Sequence, residues 1–290
     1  MTLIEKVGKG LRWLTNRGLR GRHISVPLAD KKLTLDLRWK HEFDYLEFAQ
    51  NRRINGAIGL DVWTFGTLVK PGHTVLDAGA NIGFTALLAD IAGAAEIHCF
   101  EPDPRLAKRL EQNCSGNHFT VHPKALGESS GQLDLYLSEK HNQGSTSNRT
   151  MIDKFPTVFG KAERVQVEVT TVDEAFPGKH FDFFKVDVEG AEFAMLKGAT
   201  KHFESHPPSL VYVEVFDEFR ADVFNFLGRF YKHGYQVGCD TTGEGRLFRI
   251  NEPLGPLDRA NVHLNPPSFV FSLEDLDPLT RSWTKPPLLR

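Results

Sequence analysis

The sequence predicts an α/β protein built on a mostly parallel, twisted sheet with helices on both faces. Three observations predict it. From about residue 74 onward, short β-prone apolar runs alternate with segments of helical periodicity. The first run passes through a glycine turn into an apolar helix face, "HTVLDAGANIGFTALLAD". Acidic residues close run after run, at Asp77, Glu101, Asp187 and Glu214, which is where an open α/β sheet presents groups to a ligand.

Taken in order, residues 1–60 read as an N-terminal extension, helical and then strand-like. Ile4, Val7, Leu11 and Leu14 recur at helical spacing beside Lys6, Lys9 and Arg12, as expected of a basic amphipathic helix appended to the domain; such a helix also suits peripheral contact with anionic lipid or an acidic partner. Residues 61–250 form the main domain. Thr74 to Leu76 is the first buried strand and Ile82 to Leu88 its helix face, and "AEIHCFEPD" is the second strand, ending at Glu101. "PRLAKRLEQNC" is a helix with Leu106 and Leu110 on one face and Pro104 near its start. "FTVHPKAL" reads as a third strand and "QLDLYLS" as a half-exposed one, followed by a long polar loop over residues 139 to 165. "FDFFKVDVEG" supplies the fourth parallel-type strand and "AEFAMLKGAT" its helix. "SLVYVEVF", "YQVGC" and "RLFRI" are later strands, with "DVFNFLGRFYKHG" a helix between the first two. Residues 251–290 carry seven prolines and are expected to be irregular or extended, packed along the core.

Composition narrows the class. A chain of 290 residues with 40% hydrophobic and 25% charged residues can bury a large core, and a net charge of −2 argues against a surface built wholly for nucleic acid. The charge is uneven: residues 1 to 40 hold ten Lys and Arg against three acids, net +7, leaving −9 for the rest. The three cysteines lack metal-ligand spacing and suggest neither a disulfide scaffold nor a zinc site. With no apolar run long enough to span a bilayer and no signal-peptide block, a cytoplasmic location is expected.

The acids at the strand ends point to one shared site, because each follows a run that should be buried and an isolated buried carboxylate is costly. Glu101 lies 24 residues after Asp77, a distance suited to an acid that accepts hydrogen bonds from both hydroxyls of a ribose. Two adenosine ligands remain, a dinucleotide and S-adenosylmethionine. The dinucleotide turn needs G-x-G-x-x-G, whereas Ala80, Asn81, Ile82 and Gly83 follow Gly79, and the acids Asp77 and Asp187 suit a sulfonium and an ammonium better than a pyrophosphate. A nucleotide-binding oxidoreductase is therefore the weaker alternative; a non-catalytic module that binds the methyl donor and a partner is another.

The segments "VLDAGANIGFTALLA", "CFEPDP", "VTTVDEAF" and "FFKVDVEGAEFAMLKGA" together resemble the FkbM family of S-adenosylmethionine-dependent methyltransferases, over about residues 60 to 216. The resemblance implies the class I methyltransferase (Rossmann-like) fold and O-methylation of a hydroxyl on a sugar, glycolipid or natural product. It implies that Asp77, Gly79, Asn81 and Gly83 hold the methionine part of the cofactor, that Glu101 holds the ribose, and that Ala125 and Leu126 line the adenine. It says little of residues 1–40 and 251–290.

A sugar hydroxyl is a poor nucleophile until its proton leaves, so a base or a metal is required. Asp187, Glu189 and Glu214 are the candidate acids. Asp187 and Glu189 share a face if the strand reaches Glu189; Glu189 equally suits a cap on the following helix, and Glu192 suits a first-turn helix acid. With Asp187 and Glu214 closing neighbouring strands, Glu214 is read as the base and Asp187 as orienting donor or acceptor. A divalent metal is the less favoured alternative, since no third ligand follows Glu214 before Asp217. His98 reads as a packed residue and His122 is undecided, whereas His141, Asn142 and Ser145, in the long polar loop, are candidate contacts to the acceptor.

Overall fold

The computed structural model describes residues 23–51, 56–138, 145–154, 156, 162–240, 242–251 and 267–286. The basic helix expected within residues 1–22 lies outside them. The described part of the extension begins with a hairpin, β1 (His23–Leu28) and β2 (Lys31–Asp36), whose alternation buries Val26, Leu28, Leu33 and Leu35. Two helices follow, α1 (Lys40–Asn51) and α2 (Gly56–Leu68). Leu60, Val62, Trp63, Phe65 and Leu68 of α2 are all buried, so this helix is apolar on more than one side and belongs to the same hydrophobic core as the central sheet.

The next segment is β3 (Thr74–Ala78), α3 (Phe84–Ile91), β4 (Glu96–Phe100), α4 (Pro104–Asn113) and β5 (Phe119–His122). Helix α4 starts as its sequence dictates: Pro104 stands in the first turn, where no N–H is needed, and Asp103 caps it by accepting from the Arg105 N–H. The expected third strand is divided. Its first half is β5 in the main sheet; its second half, β6 (Ala125–Leu126), joins β7 (Gly131–Leu137) and β8 (Glu163–Thr170) in a separate three-stranded sheet of order β6-β8-β7. Consequently the stretch expected as a loop over residues 139–165 contains a short helix, α5 (Arg149–Lys154), and the start of β8. The alternation of "ERVQVEVT" on a half-exposed strand is what the loop reading missed.

After α6 (Val172–Ala175) come β9 (Phe183–Val186), α7 (Glu192–Lys197), α8 (Thr200–Ser205), β10 (Leu210–Glu214), α9 (Arg220–Leu227), β11 (His233–Cys239), β12 (Gly245–Arg249) and β13 (Ser268–Ser272). The main sheet has the order β12-β11-β13-β10-β9-β3-β4-β5. Strands β5, β4, β3, β9 and β10 are mutually parallel, and β13 runs antiparallel between β10 and β11. This is the predicted doubly wound α/β architecture, with two strands, β13 and β12, running antiparallel toward one edge. The proline-rich segment departs from its expected irregular course: "SFVFS" lies inside the sheet with every residue buried, so prolines flank rather than interrupt the strand.

Register brings the chemistry together. Asp77 on β3 pairs with Lys185 on β9, and Lys185 with Tyr212 on β10, so the three side chains form one row across the carboxyl half of the sheet. The chain order reverses between β3 and β9, with β4 on one side and β9 on the other, and this switch point opens a crevice at the strand ends.

Candidate functional site

A cavity of about 550 Å³ occupies that crevice. Its floor is the turn after β3. Gly79 and Gly83 have φ of +79° and +91°, conformations that favour glycine. The space their missing Cβ atoms leave is taken by the protein itself. A Cβ on Gly79 would lie 1.8 Å from the Asp187 carbonyl oxygen, and one on Gly83 would lie 2.7 Å from Cys114 Sγ and 2.9 Å from Leu110 Cδ1. The glycines therefore bring β3 against the β9 turn and α3 against α4, and the ligand-facing surface of the turn is made by Gly79, Ala80, Asn81 and Ile82. Asn81 has a φ of +52° and its side-chain oxygen accepts from the Ile82 N–H.

Glu101, at the end of β4, is buried in the wall. Its two oxygens accept from the backbone N–H groups of Asn81 and Asp103, both at 2.9 Å, which ties the glycine turn to the start of α4. Burial lifts its pKa to about 7 against the pull of these two amides. Phe100, Leu106, Ala125 and Leu126 form an apolar slot beside it.

The centre of the site is a buried cation flanked by acids. Lys185 Nζ donates to the Gly79 carbonyl at 2.7 Å and stands 3.3 Å from Asp77 Oδ1 and 3.2 Å from Asp187 Oδ2. Burial alone would favour its neutral form, yet Asp187, Asp77 and Asp61 outweigh it and hold the pKa above the usual lysine range. Thr85 Oγ1 donates to Asp77 Oδ2 at 2.6 Å, so the Asp77 carboxylate is fixed from both sides. Lys185 was invisible as a site residue because it sits inside an apolar strand run, where period-two alternation alone puts it on the Asp77 face. Asp61, from the fourth residue before Phe65 on α2, was missed for a similar reason: helical spacing reveals the buried stripe, not the one polar group that reaches a pocket. The Tyr212 hydroxyl stands 3.1 Å from Asp61 Oδ1, and burial raises Asp61 to about 7 against the opposing attraction of Lys185.

Asp187, Glu189 and Glu214 all line the cavity. Strand β9 stops at Val186, so Asp187 and Glu189 are placed by a turn and not by strand alternation. Glu189 has a φ of +52°, and Gly190 follows with +93°. Glu189 does not cap α7. Ala191 holds the N-cap position without a side-chain bond, and Glu192 reaches back to accept from the Gly190 N–H at 2.8 Å and the Val188 N–H at 3.3 Å. Strands β9 and β10 are indeed neighbours, and Glu214 closes the second. Burial, then the Asp187 carboxylate, push both Glu189 and Glu214 well above the ordinary range.

Other expected contacts divide. Ser145 lines the cavity and its hydroxyl lies 3.2 Å from Asp103 Oδ2, while His141 and Asn142 lie outside the described residues. His98 packs between Phe176 and Phe181 and meets His122 at 3.2 Å; His122 stacks on Phe100, with ring centroids 4.2 Å apart, and neither lines the cavity. Among the described residues no group of three His, Cys, Asp or Glu is placed to hold a metal ion, and no helix is long and apolar enough to cross a membrane.

Residues 77–237, more than half of the chain, match the methyltransferase FkbM domain. The chain is similar to a 2-O-methyltransferase, NoeI, of Sinorhizobium fredii, at 30% identity over 32% of this chain and 39% of that protein. It is also similar to a hexuronic acid methyltransferase, AglP, of Haloferax volcanii, at 29% identity over 44% of this chain and 51% of that protein. A solved structure, the methyltransferase FkbM from Methylobacillus flagellatus, aligns with a TM-score of 0.47 and 16% identity over 80% of this chain and 54% of the other. The chain thus spans about half the length, or less, of these relatives.

Proposed function

The chain belongs to the FkbM family of methyltransferases, and on that premise we propose that it is an S-adenosylmethionine-dependent O-methyltransferase acting on a hydroxyl of a sugar or sugar-bearing acceptor. The observation that carries this reading is that one cavity is lined both by Glu101 with the apolar Phe100, Leu106, Ala125 and Leu126 and by the acids Glu214, Glu189 and Asp187. The residues fit the cofactor. Glu101 keeps lone pairs for two ribose hydroxyls beyond its backbone bonds, Ala125 and Leu126 offer flat apolar contact to a base, and the carbonyl-rich, acid-backed turn at Asp77 to Asn81 suits the methionine portion. When bound, the cofactor supplies an activated methyl group.

The remaining work falls to the chain: to align an acceptor oxygen, keep water out and take one proton. Glu214 is assigned the proton. Asp187 is engaged with Lys185, which leaves it better suited to holding position, whereas Glu214 stands free of that lysine at the end of β10, where burial and the neighbouring Asp187 and Glu189 raise its proton affinity. Ser145 and Ser147, which line the cavity, are proposed to contact the acceptor. O-methylation is supported by the name of the Sinorhizobium relative, and a sugar acceptor by that of the Haloferax relative. The test is Glu214→Gln, with cofactor affinity measured by calorimetry and turnover by release of S-adenosylhomocysteine. Turnover should fall by a factor on the order of 100 or more with affinity nearly unchanged. Loss of activity in EDTA and recovery with manganese would overturn the assignment of Glu214 as a metal-free base.

A further inference from the structure

Among the described residues the charged groups facing the acceptor end are unevenly matched. Asp61 on α2, Glu189 after β9 and Glu214 at the end of β10 all line the cavity. Of the two described lysines that line it, Lys185 is held by Asp77, Asp187 and the Gly79 carbonyl, and Lys124 is paired with Glu168. An acceptor carrying a carboxylate or phosphate would have to take Lys185 from two carboxylates while meeting the others at close range. A neutral polyol only donates hydroxyl hydrogens to such a wall, and an ammonium group offsets it.

We infer that the cavity selects an acceptor without negative charge, a neutral or amine-bearing sugar, and that Asp61 is the residue that sets this preference. The inference rests on the transferase reading above and extends it to the substrate class. Asp61 is singled out by its place. Asp187 is tied to Lys185, Glu214 takes the proton and Glu189 is carried by the positive-φ turn after β9, whereas Asp61 comes from a helix outside the strand ends, where it accepts from the buried Tyr212 hydroxyl at 3.1 Å. Asp61 also lies outside the matched domain of residues 77–237, on a helix that completes the cavity from the N-terminal side. The class differs from the hexuronic acid in the name of the Haloferax relative.

Two measurements test it. In the first, the protein is saturated with S-adenosylhomocysteine and titrated calorimetrically at pH 7.5 or so with the methyl glycosides of glucosamine, glucose and glucuronic acid. The glucosaminide or glucoside should bind at least about tenfold more tightly than the glucuronide, and Asp61→Asn, which keeps the side-chain shape, should shrink that ratio severalfold. Equal binding, absence of any discrimination, or a ratio unchanged in Asp61→Asn overturns the inference. In the second, labelled cofactor is supplied with cell extract separated by ion exchange into cationic, neutral and anionic pools. Label entering chiefly the anionic pool also overturns it. Failure to label any pool, with S-adenosylhomocysteine still bound, overturns the transferase reading instead, and the charge preference is then decided by the titration alone.

Discussion

The two walls of the cavity are built by different means. The wall made by the ends of β3, β4 and β9 is rigidly specified: glycines touch backbone across the sheet, carboxylates are bonded from two sides, and the row Asp77–Lys185–Tyr212 is set by strand register. The wall made by α1 and α2 is ordinary helix surface, in which Asp44, Tyr45, Ile58 and Asp61 reach the cavity because those helices happen to bury their other sides in the core. The first wall suits a ligand that never changes and the second a ligand that can be exchanged by replacing a few side chains. Donor binding should therefore be sensitive to shape, and acceptor choice to charge.

The largest effect is expected at Gly79. In Gly79→Ala the new Cβ would collide with the Asp187 carbonyl oxygen at a φ that disfavours alanine, so the β3 and β9 turns must separate. A loss of about 4 kcal/mol or more of stability is expected, read by urea unfolding. A variant as stable as the parent would show the first wall to be as adaptable as the second. An intermediate effect is expected at Glu101, where Glu101→Ala should weaken S-adenosylhomocysteine binding by about 1–3 kcal/mol in calorimetry, through loss of hydrogen bonds to a charged group. Unchanged affinity in a folded variant would remove Glu101 from the donor wall.

The smallest effect concerns pH. Asp61, Glu101 and Glu192 are each lifted by burial to about 7. The folded form therefore retains protons that the unfolded chain has already lost, so this contribution to stability is complete below the ordinary carboxyl pKa and is lost as pH rises through about 7. His98 and His122, depressed by burial, act in the opposite sense below their ordinary value. The difference between Asp61→Asn and the parent isolates one acid. The variant should gain a few degrees in Tm at about pH 8 relative to its difference at about pH 5. A pH-independent difference would mean that Asp61 does not titrate in this range.

How far the sequence disclosed these walls follows from the same contrast. Asp77, Glu101, Asp187 and Glu214 are legible because strand ends in a parallel sheet are marked by apolar runs, and Pro104 with Asp103 announces a helix start. Lys185 and Asp61 are not legible, since a single polar residue in a buried run acquires meaning only from the neighbour that register or helix packing brings to it. Glu192 is the first-turn acid expected of it and also takes the capping bond that Glu189 was offered, because that bond depends on where β9 stops, one or two residues that no periodicity fixes. The strand β13 was obscured by the prolines around it, whose restraint ends where the apolar run begins.

That strand has a consequence for how the molecule is made. Between β10 and β11 the sheet has no direct pairing; β13 bridges them, and it is supplied from far along the chain. During synthesis, β10 emerges with one side bonded to β9 and the other bare, and β11 can pair only with β12 until Ser272 has left the ribosome. The nascent protein thus carries an open edge through the middle of its hydrophobic sheet, a template for pairing with foreign strands. Closing it joins residues remote in sequence, a kind of pairing that forms more slowly than local helices.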